Sequence, residues 1–291
     1  MQQQNKAASY FLISILALIW GSSFILMKRG LEVYAPYQIG CLRMFVSFLA
    51  LLPFAIASYK KVKRSQWIFL AAAGILGNGI PSLLFPLAQT HVNSALAGMI
   101  NSLTPLFTYV VGISLFGMHS SKSRMMGLLI GFAGALMLVA SRSGNQTDND
   151  YLFSLFIVAA TICYAFSVNI LRYKLSDLDP ISTTSFALVF VGIPMGIALF
   201  STDFIPRTQT TTGSGFAMWC IILLGLFGTA ISTVMFNRLI KTSGALFASS
   251  VTYLIPIVAA LWGVFDNEKL GITHLLGLGA ILSGVYLINK K

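Results

Sequence analysis

Ten apolar runs, each of about 20 residues, follow one another along this chain with only short connections between them. A run of that length crosses roughly 30 Å of hydrocarbon as a helix. In lipid every backbone N–H and C=O must be paired within the spanning structure, which leaves only helices and closed barrels. A barrel would read as strands of about ten residues with alternating polarity, and no such alternation occurs. Composition agrees: 56% of the residues are hydrophobic and 9% are charged, where a soluble domain carries roughly a quarter charged residues. The expectation is an all-α polytopic membrane protein of ten transmembrane helices. The spans read as 9–27, 36–57, 67–88, 95–116, 125–140, 152–171, 181–200, 216–237, 245–265 and 273–288. No connection is long enough for a soluble domain, so activity belongs to the bundle. The first run, Tyr10 to Met27, is long for a signal peptide, lacks a small-x-small cleavage site and has an internal counterpart near residue 155. It reads as a retained span.

A net charge of +11 would suggest nucleic acid in a soluble protein, but in a membrane protein basic residues first report orientation. With the N-terminus inside, thirteen Lys and Arg fall in cytoplasmic segments: Lys6, Lys60, Lys61, Lys63, Arg64, Lys122, Arg124, Arg172, Lys174, Arg238, Lys241, Lys290 and Lys291. Five fall outside, namely Lys28, Arg29, Arg142, Arg207 and Lys269. Both termini are therefore expected in the cytoplasm, with the lipid bilayer as the partner of the basic residues and no nucleic acid. Cys41, Cys163 and Cys220 lie inside apolar runs without metal-ligand or disulfide spacing, so neither a metal nor a cofactor is expected.

The chain repeats itself. Asn93 to Gly112 matches Gly244 to Gly263 at a shift of 151, with Ala97, Leu103, Pro105 and Gly112 opposite Ala248, Leu254, Pro256 and Gly263. Trp20 to Pro36 matches Tyr164 to Pro180 at 144; Gly74, Gly77 and Phe85 match Gly225, Gly228 and Phe236 at 151; Gly127 and Gly134 match Gly277 and Gly284 at 150. Nearly constant shifts across five spans divide the chain into repeats 1–144 and 145–291. Five is odd, so the second repeat crosses the membrane in the opposite sense. Inverted repeats of this kind are typical of secondary carriers.

Trp20-Gly-Ser-Ser-Phe, Arg43-Met-Phe, Ser94-Ala-Leu-Ala with Leu103-Thr-Pro-Leu-Phe, and Asn267-Glu-Lys-Leu-Gly stand in an order and spacing that resembles the EamA family of the drug/metabolite transporter superfamily. The resemblance covers nearly the whole chain. It implies a carrier, often a bacterial exporter of amino acids or related metabolites, with a central cavity lined mainly by spans 1, 3, 4, 6, 8 and 9. It does not specify a substrate.

Trp20, Ser23, Asn78, Asn101, Tyr164, Asn169, Thr252 and Tyr253 lie near mid-span on helices expected to face that cavity. Small polar groups in lipid need partners in a neighbouring helix or a wet cavity, and an aromatic on a helix is more often packing than ligand wall. Arg43 is the one formal charge well inside a span, at a cost of roughly 2.5–3.5 kcal/mol at mid-membrane. It reads either as an anchor for a substrate anion or as a structural Arg bonded to neighbouring carbonyls and hydroxyls. The resemblance includes an Arg here across varied substrates, which favours the structural role. Pro105 and Pro256 each remove a backbone bond to the residue four earlier, Asn101 and Thr252. The freed carbonyls either coordinate ligand or are satisfied by a neighbouring hydroxyl, and the prolines are candidate helix pivots. Pro81 and Pro86 interrupt the third span, while their counterparts Ser232 and Asn237 do not interrupt the eighth. Glycines of spans 5 and 10 allow close helix approach, within the chain or in a homodimer. His91, His119 and His274 sit at span ends and are expected to be solvated.

The leading expectation is a secondary transporter of a small neutral or zwitterionic metabolite, amino acids first, exported across a bacterial inner membrane. The alternatives are a carrier of another metabolite class and a membrane-embedded enzyme acting on a lipid or small molecule. The enzyme would need a nucleophile with a base, or acidic metal ligands, and no such spacing is present.

Overall fold

The computed structural model describes residues 2–119, 121–140, 150–243, 248 and 251–289. The expected repeat boundary at 144/145 and the basic residues Arg142, Lys290 and Lys291 lie outside these. Helices account for the described chain from end to end. Eight are long and apolar enough to cross a membrane, and two shorter apolar helices follow them, giving the ten spans of two inverted five-helix repeats.

Span 1 is Gln2–Leu31 and span 2 is Pro36–Ser58. Span 3 runs through Trp67–Gly74, Ile75–Gly79 and Ile80–Ala88. Span 4 is made of two helices, Ser94–Asn101 and Thr104–Leu115. Spans 5, 6 and 7 are Lys122–Ala140, Asp150–Lys174 and Pro180–Phe200. A short helix, Phe204–Thr210, precedes span 8, which runs through Ser214–Gly225, Leu226–Ile231 and Ser232–Ser243. Span 9 is described from Val251–Phe265 and span 10 is Ile272–Asn289. The outer surface is apolar, with Phe265 80% and Leu136 72% exposed. Water would not tolerate so much exposed hydrocarbon, whereas lipid does.

The middle turns of spans 3 and 8, Ile75–Gly79 and Leu226–Ile231, are both π-helical, and they stand opposite each other at the repeat shift of 151. The sequence reading placed the irregularity of span 3 at Pro81 and Pro86. Yet span 8 widens at the same depth without either proline. Immediately before each turn another helix approaches closely at a matched glycine. A Cβ on Gly225 would sit 2.9 Å from the Arg43 carbonyl oxygen, and one on Gly74 would collide with the carbonyl of Ala187. Arg43 and Ala187 are themselves counterparts at the shift of 144. Wide turns of this type occur mostly at functional sites.

The halves interlock instead of packing side by side. Span 1 lies against span 9 as its counterpart span 6 lies against span 4, and spans 2 and 7, and 5 and 10, pair directly. The glycines of spans 5 and 10 are used inside the chain: a Cβ on Gly127 would lie 2.6 Å from the Gly284 carbonyl, and one on Gly134 2.6 Å from that of Gly277. Those glycines therefore build an intrachain seam and are not offered to a second protomer. His274 also departs from expectation. It is buried, and its Nδ1 accepts the Gly271 N–H at 3.0 Å at the start of span 10.

Candidate functional site

Between the two halves lies a cavity of about 170 Å³, partly open to the surroundings. Its walls come from spans 1, 3, 4, 6, 8 and 9, and also from Arg43 of span 2 and Thr183, Thr184 and Ala187 of span 7. The lining residues fall into counterpart pairs at the shifts of 144 and 151. Trp20 stands for Tyr164, Ser23 for Ser167, Asn78 for Thr229, Phe85 for Phe236, Asn101 for Thr252, and Arg43 for Ala187. The aromatic walls repeat too: Trp20 meets Phe236 with ring centres 5.1 Å apart, and Tyr164 stacks on Phe85 at 6.0 Å.

Arg43 is 8% exposed. Its Nε donates to Thr229 Oγ1 at 2.7 Å and its Nη2 to the Gly228 carbonyl at 3.5 Å. The same carbonyl accepts the Trp20 indole N–H at 3.1 Å, and that indole also reaches Ser232 Oγ at 2.9 Å. A π-helical turn interrupts the regular ladder of hydrogen bonds, and here side chains of spans 1 and 2 converge on it. Ser47 extends the arrangement, with its hydroxyl donating toward the carbonyls of Arg43 at 2.7 Å and Gly225 at 2.8 Å.

Of the eight residues expected to face a cavity, the structure brings six together: Trp20, Ser23, Asn78, Asn101, Tyr164 and Thr252. Asn169 instead ties helices, donating to the carbonyls of Thr108 at 3.0 Å and Ala165 at 2.9 Å. Tyr253 packs against the core beside the cavity. At Pro105 the span breaks into two helices, and the freed Asn101 carbonyl accepts the Thr104 hydroxyl at 2.9 Å. The hydroxyl-satisfied alternative therefore holds on that side. Pro256 lies within a continuous helix. Ser167, Thr183, Thr184, Thr229 and Asn237 were missed as cavity residues. Ser167 was legible as the counterpart of Ser23; the span 7 threonines carried no such signal.

The cavity's two ends differ. At the end where span 6 finishes and span 7 begins it continues into a second pocket bordered by Arg172, Ser176, Pro180 and Lys241, sharing Leu171, Thr183 and Asn237 with the first. At the opposite end a charged cluster joins span 1, span 4 and the connection between spans 9 and 10. Lys28 Nζ lies 2.5 Å from Asp266 and 2.8 Å from Glu268, and Arg29 also pairs with Asp266. Glu268 caps the start of span 4, accepting from Ser94 N at 3.0 Å, Ser94 Oγ at 2.7 Å and Ala95 N at 2.9 Å. A carboxylate suits the positive end of a helix. Burial alone would raise the Glu268 carboxyl, but the bonds from Lys28, Ser94 and Ala95 outweigh it and hold it below the usual carboxylate range. Asp266 is likewise lowered, with Lys28 and Arg29 overcoming its desolvation. Asn267 turns this loop at φ 59°, a left-handed conformation that asparagine tolerates.

An arrangement of inverted halves around a mid-membrane cavity is what alternating-access carriers share, and the comparisons agree. A transporter of Archaeoglobus fulgidus, itself described as uncharacterized, is 24% identical over 97% of this chain and 99% of its own length. The inner membrane transporter YedA of Escherichia coli (strain K12), also described as uncharacterized, is 29% identical over 94% of this chain and 88% of its own. A solved structure superposes with a TM-score of 0.66 at 15% identity, covering 97% of this chain and 96% of that one, which shows the shared fold. The family model of the EamA-like transporters matches twice, over residues 7–140 and 152–290, and the chain belongs to that family.

Proposed function

We propose that this protein is a secondary transporter that exports amino acids or related small zwitterionic or neutral metabolites across a bacterial inner membrane by alternating access. The observation that carries the reading is the cavity itself. It is built from counterpart residues of two inverted halves, shares lining residues with a second pocket at one end and has the Lys28–Asp266–Glu268 ion pairs at the other. With both termini cytoplasmic, as the distribution of Lys and Arg favours, the end with the second pocket faces the cytoplasm and loads an outgoing solute. Trp20, Ser23, Asn78, Asn101, Tyr164 and Thr252 then meet the substrate, Arg43 stands at the same wall, and Pro105 and Pro256 serve as pivots. The likeness to YedA, an inner membrane transporter of Escherichia coli, supports the location.

The cavity carries hydroxyls, amides and aromatic faces but no acidic side chain among the described residues, so a lipophilic cation would be buried without a counter-charge. The test is counterflow of labelled amino acids into liposomes containing the purified protein. Uptake above protein-free liposomes is expected for at least one amino acid. Flux of ethidium-like cations alone would overturn the substrate class, and no flux of any solute would overturn the transport reading.

A further inference from the structure

We propose that Arg43 is the carboxylate anchor of the cavity, and that the solutes accepted there carry one carboxylate group. This deepens the transport reading and rests on it. The argument begins with the donors of the guanidinium. Five N–H groups lie in one plane. Nε is committed to Thr229 and Nη2 reaches Gly228 only at 3.5 Å. Among the described residues Nη1 makes no hydrogen bond, in a residue that is 8% exposed as a whole. Since Arg43 lines the cavity, that edge of the fork opens onto the space where a solute sits.

Thr229 contributes a second point. A guanidinium held at Nε cannot swing, so its Nη edge is presented in a set plane, the geometry that binds a carboxylate through two parallel hydrogen bonds. Thr229 belongs to the π-helical turn of span 8, so the turn that frees the Gly228 carbonyl also orients the anchor.

Charge selects the ligand class. One positive charge in a cavity without described acids is neutralised by one monoanion. A phosphate dianion would leave an excess negative charge and a cation would meet repulsion. The mouth carries the same sign, with Arg172 and Lys241 at its border. The opposite wall is neutral, since Ala187 occupies the counterpart position and Asn78 faces it without an Arg. The amides of Asn78 and Asn101 can offer oxygen to an ammonium or nitrogen to a hydroxyl, because an amide presents both. A zwitterion therefore lies with its carboxylate on the span 2–span 8 wall and its remaining polar group toward spans 3 and 4.

Two measurements test this. In the first, purified wild-type protein is treated with phenylglyoxal, and modification of the peptide containing Arg43 is followed by mass spectrometry with excess L-alanine, propionate, L-alaninamide or propionamide. The two carboxylates are expected to slow Arg43 modification several-fold while the amides do not, with Arg64 and Arg207 unaffected. Equal modification with acids and amides overturns the proposal, and this needs no variant to fold. In the second, liposomes carry wild type, Arg43→Gln or Arg43→Lys, each first shown monodisperse and thermally intact. Arg43→Gln is expected to lower amino-acid counterflow by about tenfold or more, the range of a charge-assisted hydrogen bond. Arg43→Lys keeps the charge and is expected to recover part of it. Wild-type amino-acid counterflow in an intact Arg43→Gln variant overturns the anchor. Absence of wild-type flux for every solute overturns the transport reading instead, while the protection result still decides whether Arg43 binds a carboxylate.

Discussion

The two walls of the cavity are built on one plan and finished differently. On one side the π-helical turn of span 8 meets span 2 at Gly225, and Arg43, Thr229 and Trp20 bond around the Gly228 carbonyl. On the other, the π-helical turn of span 3 meets span 7 at Gly74, where the counterparts are Ala187, Asn78 and Tyr164. Backbone geometry is shared: each turn follows a glycine that meets a neighbouring helix's carbonyl. Polarity is not shared, because nothing in that geometry dictates the side chains that project past it. Duplication supplied a symmetric frame, and the asymmetry of its lining gives a bound solute a direction.

The ends of the cavity show the same principle at larger scale. One is tied by Lys28, Asp266 and Glu268. At the inverted counterpart of that place, Phe116 stacks on Tyr173 with ring centres 5.1 Å apart and Arg172 lies over the Tyr173 ring. Ion pairs hold one end, and a ring stack occupies the matching place at the other. The largest effect should therefore come from Glu268→Ala. Glu268 accepts from Lys28, Ser94 and Ala95, hydrogen bonds to a charged group contribute about 1.5–3 kcal/mol, and the change also strips the cap from span 4. Thermal unfolding should drop sharply, and a cysteine introduced at Met27 should become reactive toward impermeant maleimide from that end. Unchanged labelling would mean that the cluster is not what closes it.

Next come the two glycines. Gly74→Val and Gly225→Val each force branched carbon against a backbone carbonyl, and overpacking of this kind costs about 1–3 kcal/mol. Because the turns are counterparts, the two losses in thermal stability should be similar. A large inequality would break the comparison between the walls.

A pH titration separates the ends. Glu268 and Asp266 are held below the ordinary carboxylate range in the folded protein. Their contribution to stability is complete above the unfolded pKa of about 4 and is lost as pH falls through the folded values. Thermal stability should therefore fall in acid below about pH 4, and Glu268→Gln should flatten part of that fall. An unaltered pH profile in the variant would remove Glu268 from the account.

The smallest effects belong to the prolines. Pro105→Ala and Pro256→Ala are each expected to slow counterflow by roughly a few fold while leaving expression and binding near wild type, through stiffening of the bends at which the halves exchange shape. Pro256→Ala should slow it more. Pro256 lies inside a continuous helix, whereas Pro105 stands in the first turn of a second helix, where the span is already broken. Wild-type rates in both variants would place the pivots elsewhere.

Helix count, the inverted duplication and six of the eight expected cavity residues were legible because lipid imposes long apolar runs and because duplication leaves constant shifts. Trp20 and Tyr164 could be read as facing one space from their positions alone. Asn169 could not be told apart from them, since an asparagine that ties two helices and one that lines a cavity look alike in a linear chain. Arg43 was visible as a buried charge, but its bond to Thr229 from far along the chain was not. The π-helical turns were hidden for a related reason: no residue in Ile75–Gly79 or Leu226–Ile231 demands a wide turn, and the close approaches of span 7 and span 2 beside them are tertiary. Local sequence determined which segments cross the membrane and that they do so twice over in opposite senses, because each span satisfies its own backbone. Tertiary structure decided which glycines meet which carbonyls and which charges pair across spans, because each depends on groups brought together from far apart in the chain.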